Sequence, residues 1–423
     1  MPEPRMTGPR PRRLDRRVAP VPLPAHLASA AMLWQSSRGA LTSLSGAWPP
    51  SSGPAAARLR ELHAEIARRG TESVGRALDG ELRRRAAGFA DGLDAYRRHA
   101  FRRPPTRAKV MWREGSARLL DFSQVGSGGG NGPPVLLVPS LINRYYVLDL
   151  LRGQSFVRDL AARGLRPLVV DWGAPGRAER GFDLTDYVAG RLDAAVVVAR
   201  EAAGAKLAIV GYCMGGLLAL ALALRRPADT ACLALLATPW DFHAERREQA
   251  ELLGLGVERV LGPRAAGDDL PVAVIQSLFF ALDPFLAERK FRHFATLDPQ
   301  GEAARMFVAL EDWINDGVPL ARRVARECAV DWYRDNQPAR GIWRVAGTAV
   351  EPRAFDRPAL VVLPSRDRIV PPGSAAPLAE LLPDATVLRP PLGHIGMMAG
   401  REAPRTLWPE IADWLLAQTA SSG

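Results

Sequence analysis

The sequence predicts an α/β protein with a mostly parallel, doubly wound sheet, a helical cap insertion and an N-terminal helical segment. Three observations predict it. Short apolar strand patterns alternate with helical ones over residues 135–237 and again over 359–417. The stretch 240–347 interrupts that alternation with helix-like runs broken by Gly and Pro. A Gly-x-Cys-x-Gly turn at 211–215 joins a strand to a helix, and an acid and a histidine follow it at the ends of later strands.

The elements follow in chain order. Residues 1–21 are basic and proline-containing and read as extended or unstructured. Residues 24–44 fit one short helix, and 49–54 a linker. Leu59, Leu62 and Ile66 share a helical face. Leu78, Leu82, Ala86, Phe89, Leu93 and Tyr96 step by four, four, three, four and three, an amphipathic stripe with Arg83, Arg84 and Arg85 between its members. The stripe needs an apolar surface, either the catalytic domain or a second chain. Residues 108–112 and 118–122 read as a hairpin around Gly115. The glycine-rich loop 126–134 has no Lys-Ser/Thr pair and no helix behind it, which excludes a phosphate-binding loop. Strands are expected at 135–138, 166–170, 207–210, 232–237, 359–363 and 385–388, and helices at 155–163, 184–203, 217–226, 373–382 and 404–417. The resulting division is 1–105, a basic helical segment; 106–239, the first part of the core; 240–347, the cap; and 348–423, the second part of the core.

Composition narrows the class. The 423 residues are 47% hydrophobic, enough for a sizeable core. No run is long and apolar enough to span a bilayer, and no apolar stretch follows the basic start as in a secretory leader. Three cysteines make no disulfide framework, so a reducing cytoplasm is expected. The six histidines are scattered, and neither a metal site nor a cofactor is expected. The net charge of +11 is unevenly placed. Residues 1–113 hold 22 Lys+Arg against 9 Asp+Glu, and the rest hold 34 against 36. No nucleic-acid motif accompanies the excess, so a solvated basic face comes first and an anionic partner second.

The chemistry centres on Cys213. A strand at 207–210, a tight turn and a Leu/Ala-rich helix form a nucleophile elbow, with cysteine where serine is usual. The helix N-terminus behind Cys213 favours a thiolate. Asp367 stands just past the strand 359–363, and His394 past the strand 385–388. The order Cys213, Asp367, His394 is that of the α/β-hydrolase fold. The expected oxyanion donors are the backbone N–H of Met214 and that of Leu141 or Ile142. Other candidates read as structural: Asp171 and Trp172 after a strand, His243 at a cap hinge, Cys232 in a core strand and Cys328 packed in the cap.

The blocks 135–150 (VLLVPSLINRYYVLDL), 155–171, 211–216 (GYCMGG), 367–371 (DRIVP) and 393–396 (GHIG) resemble the polyhydroxyalkanoate synthases in sequence and order. Residues 282–336, with Glu311, Trp313 and Asp316 and the run 331–336 (DWYRDN), are similar to their cap, closest to the short two-subunit class. Leu141 stands where the family usually has Trp, and Arg368 where it often has His. The resemblance implies a cysteine nucleophile at Cys213, a general base at His394, and Asp367 supporting the histidine or activating the substrate's 3-hydroxyl. It implies a 3-hydroxyacyl-CoA substrate, a homodimer or a second synthase subunit, and a granule surface in the cytoplasm. A thiol hydrolase of esters, lactones or polyesters is the alternative. A non-catalytic granule-binding relative is a third reading, which an intact set of three residues opposes.

Overall fold

The computed structural model of the chain describes Arg17 and residues 20–44, 54–125, 132–262 and 269–420. Residues 1–16 of the basic tail, 49–53 of the expected linker and 126–131 of the glycine-rich loop lie outside them. The chain forms two units: Met1–Phe101 with Asp283–Asn315, and Arg102–Leu282 with Asp316–Gly423.

The first unit is helical. It comprises Leu23–Leu44 (α1), Pro54–Arg69 (α2), Thr71–Arg98 (α3), Leu286–Phe294 (α9) and Glu302–Asn315 (α10). The predicted stripe on α3 finds its surface within the chain. Phe89, Leu93 and Tyr96 are buried in one cluster with Phe291, Phe294 and Val308, while Arg83 and Arg84 face outward. The Tyr96 and Phe291 rings meet edge to face at 5.5 Å. Gly92 permits the closest approach: a Cβ there would stand 1.9 Å from the Phe291 carbonyl oxygen. The segment Asp283–Asn315, counted by sequence within the cap, therefore groups with the N-terminal helices. Its aromatic residues bury against α3.

Arg17 falls within the stretch read as a tail, yet it is buried at 4% exposure. Its guanidinium meets Asp312 at 2.7 Å and also donates to the carbonyls of His99 and Phe101. Asp312 in turn accepts from the Tyr96 hydroxyl at 2.9 Å. Removing one partner of a buried pair costs about 3–5 kcal/mol. Arg17→Ala is therefore expected to lower the thermal midpoint, whereas deletion of residues 1–16 leaves it in place. An unchanged midpoint in Arg17→Ala would show this anchor to be dispensable. A binding test of the basic tail thus stops at residue 16 rather than 21.

The second unit is built on one sheet. Its strands are Lys109–Glu114 (β1), Ala117–Asp121 (β2), Pro134–Val138 (β3), Arg166–Asp171 (β4), Leu207–Tyr212 (β5), Thr230–Leu236 (β6), Ala359–Val362 (β9) and Ala385–Leu388 (β10). They lie in the order β1-β2-β4-β3-β5-β6-β9-β10. From β4 to β10 all neighbours are parallel, and the predicted hairpin β1–β2 adds antiparallel through β2–β4. Strands β3, β5 and β6 are buried along their whole length, as their unbroken apolar runs require. From β3 the chain goes to β4 on one side and later to β5 on the other. The carboxyl ends of β3 and β5 therefore flank a topological switch point, where open α/β sheets hold their ligands.

The helices of this unit are Phe156–Ala162 (α4), Asp193–Ala203 (α5), Met214–Arg225 (α6), Arg247–Leu261 (α7), Val272–Leu282 (α8), Arg322–Arg326 (α11), Pro372–Leu381 (α12), Gly396–Ala399 (α13), Ala403–Thr406 (α14) and Trp408–Ala420 (α15). A two-residue hairpin, Arg344–Val345 (β7) with Thr348–Ala349 (β8), closes the insertion. Two expected helices are interrupted. The one at 184–203 opens with a π-helical turn, Asp186–Leu192, before α5. The one at 404–417 breaks at Leu407, because Pro409 has no N–H to continue the ladder and the Trp408 indole instead donates to the Met397 carbonyl at 2.9 Å. Among the described residues no helix is long and apolar enough to cross a membrane.

Candidate active site

The site grows from the turn between β5 and α6. Cys213 holds φ 57° and ψ −129°, a backbone conformation that side chains rarely adopt and that costs about 1–3 kcal/mol. Its neighbours make the conformation hold. The Cys213 N–H donates to the Leu236 carbonyl at 2.9 Å, and the Gly216 N–H to the Cys213 carbonyl at 2.9 Å. Bare backbone is needed on both sides. A Cβ at Gly215 would stand 2.1 Å from the Val138 carbonyl oxygen, and one at Gly216 1.8 Å from Thr238 Oγ1. Gly215 seats the first turn of α6 against the end of β3, and Gly216 seats it against Thr238 beyond β6. Met214 through Ala223 are all buried, so the helix is apolar on every side and fixed in the core.

His394 and Asp367 arrive from the ends of β10 and β9. His394 Nδ1 lies 2.7 Å from Asp367 Oδ2. Asp367 Oδ1 accepts from the N–H groups of Ile369 and Val370 at 2.8 and 2.9 Å, which locks the carboxylate. Both side chains are buried. With Nδ1 engaged by Asp367, Nε2 is the ring nitrogen left to serve the Cys213 side chain. Tyr212 holds the ring from a second side. Its ring stacks on the imidazole at 5.1 Å and 28°, and its hydroxyl donates to the His394 carbonyl at 3.0 Å. Burial alone would lower the His394 pKa, but the electrostatic interaction with Cys213 and the hydrogen bond to Asp367 outweigh it. Together they push it up to about 10.

The loop after β3 is clamped from several directions. The Trp172 indole donates to the Pro139 carbonyl at 2.9 Å. The Ile142 N–H is taken by Ser140 Oγ at 3.2 Å, and the Ile142 carbonyl accepts from the Val318 N–H at 2.9 Å. Tyr146 donates to Asp316 Oδ2 at 2.9 Å beside it. The Ile142 N–H, one of the two oxyanion alternatives read from the sequence, is thus engaged by Ser140.

The remaining candidates take structural places. Asp171 pairs with Arg118 and accepts from the Gly173 N–H at 3.0 Å. Cys232 is fully buried in β6, and burial pushes its thiol up to about 12. His243 Nε2 lies 2.9 Å from the Tyr333 carbonyl oxygen. Beside it Asn336 Nδ2 donates to Asp241 Oδ1 at 2.8 Å, and its Oδ1 accepts from the Phe242 N–H at 3.0 Å. These bonds tie both ends of the insertion together. Burial is the main cause that pushes the phenols of Tyr212 and Tyr333 up, with the interaction with Cys213 next for both. All four of Tyr333, Asn336, Ser140 and Tyr212 lie in the sequence blocks quoted above, but nothing local marked them for these duties. Among the described residues no three His, Cys, Asp or Glu side chains are grouped to hold a metal ion.

A chamber of about 180 Å³ lies beneath α7 and α8. Ile142 beyond β3, Pro239 beyond β6 and Ile369 and Val370 beyond β9 contribute to its wall, and so does Tyr333.

Known proteins match this chain over the same region. The family described as alpha/beta hydrolase fold matches residues 133–400, and that of the poly-beta-hydroxybutyrate polymerase (PhaC) N-terminus matches 104–160. The poly(3-hydroxyalkanoate) polymerase subunit PhaC of Synechocystis sp. is 31% identical over 297 residues, covering 67% of this chain and 77% of that protein. That of Allochromatium vinosum is 31% identical over 289 residues, covering 67% and 80%. That of Haloferax mediterranei is 28% identical over 323 residues, covering 74% of this chain but just 64% of its own length.

Proposed function

Because this chain belongs to the poly(3-hydroxyalkanoate) polymerase family on the α/β-hydrolase fold, we propose that it is an acyltransferase that polymerises 3-hydroxyacyl-CoA. The observation that carries the reading is Cys213 at a strained elbow, with His394 electrostatically coupled to it and hydrogen-bonded to Asp367. His394 Nε2 takes the thiol proton, and the Cys213 thiolate attacks the thioester carbonyl carbon. The carbonyl oxygen becomes an oxyanion facing the N–H groups of Met214 and Leu141, each worth about 2.7–4 kcal/mol at such positions. As the tetrahedral species collapses, the CoA sulfur leaves with the proton held on Nε2, and the acyl group stays on Cys213. One thioester has replaced another, so the acyl group remains activated. His394 then takes the proton of an incoming 3-hydroxyl, whose oxygen attacks the acyl carbon and releases the Cys213 thiolate. Activation enters with the CoA thioester, and no further cofactor is required.

Purified protein given 3-hydroxybutyryl- and 3-hydroxyoctanoyl-CoA should release CoA thiol together with insoluble ester. Thiol release with stoichiometric free 3-hydroxy acid would identify a hydrolase and defeat the polymerase reading. The proposal extends to a cytoplasmic, granule-associated enzyme that works with a second copy or a second subunit. The outward arginines of α3 and the basic tail are the surface offered to an anionic granule coat. Deleting residues 1–16 should remove salt-sensitive granule association while activity on soluble substrate persists.

A further inference from the structure

The chamber beneath α7 and α8 is placed to see the acyl group. Strand β5 lies between β3 and β6 in the sheet, and the chamber wall includes the residues that follow both. Cys213 follows β5, the strand between those two, and Tyr333, which interacts electrostatically with Cys213, also lines the chamber. Glu245 and Gln249 are exposed and mark the opening, whereas Val257, Ile275 and Leu320 are buried and form the blind end. Cys328 contributes a thiol that burial, and after it the carboxylates of Glu327 and Asp331, push well above its ordinary value. A dry apolar cavity of about 150 Å³ accepts a six-carbon guest such as benzene. The chamber's volume of about 180 Å³ therefore suits an aliphatic chain of roughly five to seven carbons.

We propose that this chamber receives the side chain of the 3-hydroxyacyl group, and that the enzyme favours medium-length substrates, 3-hydroxyoctanoyl to 3-hydroxydecanoyl, over 3-hydroxybutyryl. The inference rests on the acyl-transfer reading above. A methyl side chain leaves most of the space unfilled, while a pentyl chain adds four methylenes to the apolar wall. Leu253 on α7 and Leu278 on α8 set the width available to it.

The test is kcat/KM for CoA release across 3-hydroxybutyryl-, hexanoyl-, octanoyl- and decanoyl-CoA. At roughly fourfold per buried methylene, octanoyl should exceed butyryl on the order of 100-fold. Leu253→Trp and Leu278→Trp fill the chamber from two helices, so that one folding failure does not end the test. Either should reduce the octanoyl-to-butyryl ratio at least about tenfold, read within one folded variant so that any change common to both substrates cancels. Equal or better use of butyryl by the wild type, or an unchanged ratio in both folded variants, would overturn the proposal. If the folded protein releases CoA from no thioester, acyl transfer itself fails, and calorimetry with octanoate and butyrate then decides the chamber alone. Octanoate binding lost in the Trp variants supports it, and no binding of octanoate by the wild type overturns it.

Discussion

Cys213→Ala abolishes CoA release, by about 10⁴-fold or more as removal of a nucleophile does elsewhere, while the fold persists. The elbow explains both halves. Its stability comes from backbone bonds at Cys213 and Gly216 and from bare glycines packed on β3 and Thr238, none of which involves sulfur. Alanine has the same backbone strain as cysteine, so the turn keeps its shape and the thermal midpoint should move little. Cys232→Ala opens a small cavity in β6, and Cys328→Ala enlarges the chamber. Both should keep most activity, since neither touches His394. Turnover in the Cys213 variant, measured as thiol release from a 3-hydroxyacyl-CoA, would remove the mechanism.

What could be read in advance follows a physical division. The elbow was legible because its constraints are local: three glycines within reach of one cysteine have few other purposes. Asp367 and His394 were legible because a parallel sheet forces such groups to the carboxyl ends of strands. The fate of Asp283–Asn315 was not legible. Its helices carry the same periodicity as the cap helices around them, and Phe291 and Phe294 find their partners on α3, far earlier in the chain. Arg17 was hidden for a related reason. It is one of six arginines in residues 1–21, and only the carboxylate of Asp312 distinguishes it. The hydrogen bond that occupies the Ile142 N–H, to Ser140 Oγ, is likewise one that spacing alone does not announce.

His394→Ala slows alkylation of Cys213 at neutral pH by at least about tenfold, because the thiolate loses the cation that favours it. Asp367→Asn tests the next link. Asp367 Oδ1 is bound by two backbone N–H groups, so the oxygen facing the ring is Oδ2. An amide there presents N–H to Nδ1, moves the ring proton to Nε2, and leaves no lone pair for the thiol proton. In a related arrangement this tautomer change lowers kcat about 10⁴-fold, and a similar loss is expected here. A pH series separates this effect from simple unfolding. The His394 pKa is raised from 6.5 to about 10 in the folded chain. Its contribution to stability is therefore complete below pH 6.5 and lost as pH rises through about 10. Removing Asp367's charge and hydrogen bond takes away part of what raises that pKa, so the alkaline loss of stability starts near pH 6.5 in both proteins but is smaller and complete at lower pH in Asp367→Asn. Thermal midpoints from pH 6 to 10 measure it. Superimposable stability curves for the wild type and Asp367→Asn would mean that the carboxylate does not hold the imidazolium. Asp367 would then be left to the alternative duty of drawing the proton from the substrate's 3-hydroxyl.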